Sequence, residues 1–281
     1  MTYESIKAYD GTDLRVARFE PEGELTGVIQ IVHGFGEGLA HYIDIAKYFV
    51  KNGYACVIHD QRGFGEMPGL TESKRQKARG VVPGYYYLLE DINEIHNKIN
   101  IWYPSQRKIL FGHSMGANIV ANYLIRYDGY EKAILEAPWF RLYKPLPMLV
   151  HSIAKLTGRL SGQITVSAKI AIDDITRNKE IADGLKTDGI YHNRMSLRLY
   201  TQVVDAGEFA IKNANMLSIP TLLLCPGGDK IVCPKAIREF AEGASDNVVL
   251  VEYPDAYHCL HADIINVEVL TAMLEFCNSR A

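Results

Sequence analysis

No stretch of the 281-residue sequence approaches the roughly 18 uninterrupted apolar residues of a membrane span. The first residues, Met1 to Gly11, are polar and predict no secretory leader. Charge of one sign is not in excess. The formal net charge is −3, so bulk electrostatics gives no reason to expect nucleic acid or an anionic membrane as a general partner. Cysteine is sparse and unpaired in pattern: Cys56, Cys225, Cys233, Cys259 and Cys277 are odd in number, scattered, and nowhere spaced C-x-x-C. That pattern predicts free thiols in a reducing, cytoplasmic setting, with neither a disulfide framework nor a zinc site. Internal repeats and low-complexity tracts are also lacking. Hydrophobic residues make up 48% and charged residues 22%, the balance of a globular protein with one large domain or a core carrying an insertion.

The chain opens as a hairpin: Tyr3–Tyr9, an Asp10-Gly11 turn, then Leu14–Phe19. Short apolar runs then alternate with helix-like spacing. The runs are Val28–Val32, Tyr54–His59, Lys108–Phe111, Ala133–Glu136, Thr221–Cys225 and Val248–Tyr253. Helical patterns cover Tyr42–Asn52, Leu88–Tyr103, Met115–Arg126, Cys233–Glu242 and Val267–Cys277. Such alternation predicts a mostly parallel sheet with helices on both faces. Between Pro138 and Ser218 the rhythm breaks, and the pattern is helical, punctuated by proline and glycine. This segment, 138–218, reads as a helical cap inserted between core parts 1–137 and 219–281.

Gly112-His113-Ser114-Met115-Gly116 carries the clearest chemistry. It follows an apolar run and precedes a helical pattern. A sharp strand-to-helix turn there needs small residues around the serine and holds its hydroxyl clear of the sheet. The bland alternative is a tight turn with a helix-capping serine. A serine hydroxyl becomes a useful nucleophile only when a base takes its proton. Asp229, after the run Thr221–Cys225, and His258, after Val248–Tyr253, both fall just past strand ends, where open α/β sheets place their sites. The expected catalytic set is Ser114, His258 as base and Asp229 as acid. His261 competes for the base, and beginning the last helix or lining the pocket is its expected role. Backbone N–H groups of Met115 and Phe35, the latter in the loop His33-Gly34-Phe35-Gly36-Glu37-Gly38, are the expected oxyanion donors. No cofactor and no metal are expected. His33, His59 and His113 read as structural, and so does the glycine-rich Asp60–Gly65. Cys233 and Cys259 lie near the acid and base, with buried, inert thiols the default reading.

With those residues in place, the chain resembles the monoacylglycerol lipase and lysophospholipase group of α/β hydrolases almost end to end. The shared elements are His33-Gly34-x-Gly36-Glu37, Asp60-x-x-Gly63-x-Gly65, Phe111–Gly116, Gly228-Asp229, Tyr257-His258-x-Leu260-His261 and, in the cap, Thr176–Lys179. The resemblance implies an α/β-hydrolase fold with an eight-stranded, mostly parallel sheet, and hydrolysis of esters carrying one long acyl chain. It also implies that Glu37 and His261 help receive the alcohol head. The family's arginine and cap tyrosine are replaced by His41 and Leu185, which leaves the head group open. A general carboxylesterase for short or aromatic esters is the alternative, and a serine peptidase comes behind it. The non-enzyme alternative is a ligand-binding module on a hydrolase fold. In the cap, Leu146, Leu149, Val150, Ile153, Leu156 and Leu160 share one apolar helical face from Pro147 onward, with His151, Lys155 and Arg159 on another. One reading has this face covering the core. The other makes it a lid whose Leu149 and Ile153 line the acyl pocket and which touches membranes or micelles transiently.

Overall fold

The computed structural model of the chain describes residues 1–279. Strands β1 (Thr2–Lys7) and β2 (Asp13–Phe19) form the opening hairpin. β3 (Gly27–Val32), β4 (Tyr54–His59), β5 (Arg107–His113) and β6 (Lys132–Glu136) follow. A two-stranded ribbon, β7 (Thr165–Ser167) with β8 (Arg194–Ser196), stands apart. β9 (Thr221–Pro226) and β10 (Val248–Tyr253) complete an eight-stranded sheet in the order β1-β2-β4-β3-β5-β6-β9-β10. Every pairing from β4 to β10 is parallel, and only β1 and β2 run antiparallel to their neighbours.

The central strands are mostly apolar and buried because both their faces are covered, with Gln30 of β3 a buried polar exception. Successive side chains point to opposite faces. Thus Ile109 and Phe111 of β5 and Leu222 and Leu224 of β9 enter one core cluster, while Leu110, Leu223 and Cys225 enter the other. The first cluster is closed by α1 (Ile43–Lys51) and α9 (Asn266–Asn278). The second is closed by α3 (Tyr85–Trp102), α4 (Met115–Leu124) and α8 (Pro234–Gly243). A short surface helix, α2 (Glu72–Ala78), has no counterpart in the hydrophobic pattern because none of its residues is buried. No described helix is long and apolar enough to cross a membrane.

Between β6 and β9 the chain builds α5 (Met148–Leu160), the ribbon, α6 (Lys179–Thr187) and α7 (Leu197–Lys212). Three features here differ from the sequence expectation. First, the segment is not purely helical: β7 and β8 are three residues each, too short for a period-2 signal. Second, α7 belongs to the core layer. Leu199, Val203 and Ala210 join the α3–α4–α8 cluster, and Asn118 and Asn122 of α4 donate to the carbonyls of Val203 and Ala206. Third, the apolar face of α5 is turned largely to solvent. Leu149 is 73% and Ile153 58% exposed, while the buried positions are Ala154 and Gly158. A Cβ on Gly158 would lie 2.8 Å from the Arg198 amide nitrogen, closer than such contacts run. The helix therefore docks on α7 through its smallest residues, because only they permit that approach.

Candidate active site

Ser114 stands between β5 and α4 with φ 54° and ψ −116°, a left-handed conformation that costs a non-glycine residue about 1–3 kcal/mol. Its surroundings hold it there. Its N–H donates to the Glu136 carbonyl at 2.9 Å, and its own carbonyl accepts from Asn118 and Trp139. The turn presses α4 so close to β3 that a Cβ on Gly116 would sit 2.1 Å from the Val32 carbonyl oxygen. Glycine is required there by contact.

His258 Nε2 lies 2.8 Å from Ser114 Oγ, and His258 Nδ1 lies 2.6 Å from Asp229 Oδ2. All three side chains are buried. The other Asp229 oxygen accepts N–H bonds from Ile231 and Val232 at 2.7 and 3.0 Å, which fixes the carboxylate's orientation. Burial alone would depress the His258 pKa. The Asp229 carboxylate outweighs it through charge and hydrogen bond, with Glu37 and Glu136 adding to it, and the net shift is upward. The chain Asp229–His258–Ser114 can draw the hydroxyl proton onto an imidazole whose charged form is stabilised.

Among the described residues the N–H groups of Phe35 and Met115 have no hydrogen-bond acceptor. The loop bearing Phe35 is held from below. Gly34 N–H donates to Glu37 Oε2 at 2.7 Å, and the Tyr42 hydroxyl donates to the same oxygen at 2.6 Å. His33 accepts the Gln61 N–H at Nε2 and so carries its proton on Nδ1, facing the Gly34 carbonyl at 2.8 Å. Burial would raise the Glu37 pKa. The nearby imidazoles of His113 and His41 and the Tyr42 hydrogen bond outweigh that, and the carboxyl is held below its usual range.

His261 is not within the triad. It is the middle residue of a short turn, Leu260–Ala262, ahead of α9. Its Nδ1 lies 2.7 Å from Glu136 Oε2, and its backbone N–H donates to Glu136 Oε1 at 2.8 Å. Burial opposes its charge, but Cys259 and Glu136 beside it push its pKa well above the ordinary value. Glu136 is the residue that the sequence reading missed. The available signal was an acid ending the otherwise apolar core run of β6.

The space above Ser114 is a narrow cavity of about 20 Å³, enough for one water. Its walls are apolar: Phe35, Trp139, Leu142, Ile170, Ile175 and Ile231, with Glu37 and Tyr191 as polar edges. Leu149 and Ile153, expected there, line neither this cavity nor its neighbour, because their face of α5 points to solvent. A second cavity of about 490 Å³ adjoins it, sharing Glu37 and Ile175. It is bordered by His41, Leu185, Asp188, Cys259 and His261. His41 Nε2 meets Asp188 Oδ2 at 2.6 Å, so the residue at the family's arginine position ties the first loop to the cap. Leu185 packs with Ile175 and Cys259 in a small apolar cluster.

Comparison with known proteins agrees with this architecture. Residues 23–264 match the family model described as Serine aminopeptidase, S33. The chain is 26% identical over 241 residues to a monoacylglycerol lipase of Mycolicibacterium smegmatis, covering 85% of this chain and 83% of that protein. It is also 26% identical over 275 residues to an uncharacterized abhydrolase domain-containing protein of Dictyostelium discoideum; that match covers 96% of this chain and 28% of that much longer protein. The crystal structure of the Paleococcus ferrophilus monoacylglycerol lipase superposes with a TM-score of 0.84 at 25% identity, covering 95% of this chain and 98% of the other. The chain has the α/β-hydrolase fold and belongs to the Serine aminopeptidase S33 family of serine hydrolases.

Proposed function

We propose that the chain hydrolyses carboxylic esters of single-acyl-chain lipids, such as monoacylglycerol or lysophospholipid, through an acyl-enzyme on Ser114. The observation that carries this reading is the Asp229–His258–Ser114 chain opening onto an apolar cavity, with Glu37 shared between that cavity and a second one of mixed lining. Ser114 Oγ attacks the ester carbonyl as His258 Nε2 takes its proton. The carbonyl oxygen becomes an oxyanion facing the N–H groups of Phe35 and Met115. His258 returns the proton to the departing alcohol, and water, activated by the same imidazole, releases the acid. The apolar walls suit the acyl chain, and the carboxylates and imidazoles on the border of the second cavity suit the alcohol. An acyl chain needs far more than about 20 Å³, so the cap opens to admit substrate. The exposed apolar ridge of α5 is the surface that meets a membrane or micelle as it does so.

A second reading, an aminopeptidase, draws on one observation. The second cavity carries Asp44, Glu180 and Asp188 besides Glu37, acidic groups that suit an amine. A panel of monoacylglycerols, lysophospholipids, nitrophenyl esters and aminoacyl nitroanilides separates the readings. Long-chain glycerides should turn over best, and Ser114→Ala should remove roughly four to six orders of magnitude of that activity along with fluorophosphonate labelling. Turnover confined to the nitroanilides would reject the lipase reading.

A further inference from the structure

Beneath the triad lies a group of side chains that ester hydrolysis leaves partly unused. Glu37, His113 and Cys259 each offer a ligand atom, all within 4.8 Å of one another, and all three residues are buried. Glu37 commits Oε2 to Gly34 and Tyr42, while its Oε1 has no donor among the described residues. His113 is 1% exposed, and its Nδ1 has no hydrogen-bond partner among the described residues, although Glu136 Oε2 stands 3.5 Å away. A buried imidazole left unpaired carries a desolvation cost that a ligand would remove.

We propose that Glu37, His113 and Cys259 form a site for a thiophilic divalent cation such as Zn²⁺, whose binding inhibits hydrolysis at Ser114. One thiolate, one imidazole and one carboxylate is a donor set suited to zinc. Zinc bonds of roughly 2.0–2.3 Å put tetrahedral ligand atoms about 3.3–3.8 Å apart, so the observed spread needs to close by at most about 1.5 Å. Glu37 and Cys259 both border the second cavity, which gives the ion a route in. Zinc takes the thiolate, so the Cys259 S–H bond breaks as the Zn–S bond forms and its proton passes to solvent.

Inhibition follows from position and rests on the ester-hydrolase reading; the binding itself does not. The His113 and His258 rings are 4.8 Å apart, so the ion's charge opposes the imidazolium that His258 must become. Coordination also draws on the carboxylate that holds Gly34, next to the oxyanion donor Phe35.

The test titrates the full chain with Zn²⁺ by calorimetry and with Cd²⁺ by the ultraviolet charge-transfer absorption of a metal–thiolate bond, alongside ester hydrolysis. The parent should bind one ion per chain, develop the thiolate band and lose hydrolysis in parallel. Cys259→Ala should lose the band and bind Zn²⁺ at least about tenfold more weakly, since even residues one shell further out cost that much, and its hydrolysis, scaled to its own metal-free rate, should resist Zn²⁺ accordingly. Cys233→Ala, which removes the half-exposed thiol, should behave as the parent. If Cys259→Ala folds poorly, Cys259→Ser serves in its place, and the band in the parent still reads the thiol directly. Absence of the band in the parent, or inhibition that persists undiminished without Cys259, would overturn the proposal. Stoichiometric binding with a thiolate band in a chain that hydrolyses no ester would leave the site standing and reject the ester-hydrolase reading alone.

Discussion

Leu149→Ser combined with Ile153→Ser should separate surface docking from folding. The two side chains are 73% and 58% exposed, so they contribute little to stability, and the double variant should unfold within about 0.5 kcal/mol of the parent. If the ridge inserts into a lipid surface, the same two side chains lose water there. Full burial of one such side chain is worth about 1.5–3 kcal/mol. The exposed fractions together amount to a little more than one whole side chain, so the variant forfeits about 2–4 kcal/mol of partitioning. At 1.4 kcal/mol per factor of ten, that is roughly 30- to 700-fold weaker vesicle binding, an upper bound because insertion is shallow. Arg159 lies roughly 100° around the helix from the ridge, placed to reach headgroups as it inserts, while Lys155, about 140° away, is held by Asp205. Arg198 joins them in a groove of about 460 Å³ between α5 and α7.

The assay is co-sedimentation with vesicles, beside hydrolysis of a vesicle-borne long-chain monoacylglycerol and of a soluble butyrate ester. Binding and long-chain hydrolysis should fall together while butyrate hydrolysis and melting temperature hold. Unchanged vesicle binding in a well-folded variant would refute the docking argument. A fall in melting temperature with equal loss on both esters would show that the ridge is covered in the functional state.

Two further outcomes follow from the geometry. His258 must be neutral to accept the Ser114 proton, and its pKa lies above the ordinary 6.5, so the acid limb of the kcat/KM profile should have its midpoint above that value. Asp229→Asn should move the midpoint down and cost about four orders of magnitude in turnover, and a midpoint that stays put would detach the limb from His258. The linkage to stability runs the other way: the raised pKa stabilises the fold fully below about 6.5, and that contribution disappears as pH rises through the folded value, where activity appears. Gly158→Leu should destabilise the α5–α7 contact by about 1–3 kcal/mol through overpacking, measured by denaturant unfolding. A neutral result would mean that α5 can lift from α7 at little cost.

The sheet was legible because β3, β5 and β9 are apolar on both faces, and that pattern has few structural meanings in a chain of strand-helix alternation. The convergence of Ser114, Asp229 and His258 was legible for a related reason. Parallel strands put their C-terminal ends on one edge, so residues far apart in sequence, just past β5, β9 and β10, fall on the same edge of the sheet once the alternation is read. The polar floor was not legible, since nothing in the spacing of Glu136, His113, Cys259 and His261 announces that three strand ends converge behind the nucleophile.

The cap helix was misread for a physical reason that reaches beyond this chain. Apolar periodicity reports which residues share a face of α5; it does not report what that face meets. Burial at a helix–helix contact is decided as much by how closely backbones can approach, and there Ala154 and Gly158 outcompete Leu149 and Ile153 despite offering less apolar surface. The close approach has its own supports: Arg198 of α7 donates to the Gly158 carbonyl at 3.0 Å, and the His151 and Lys155 side chains both reach Asp205. A helix anchored by small residues and surface ion pairs leaves its large side chains free. In a protein that acts only in water, that exposure would be a solubility liability. Beside a catalytic cavity of about 20 Å³, too small for the acyl chain proposed to enter it, the same exposure is what a surface that finds lipid and then admits it would require.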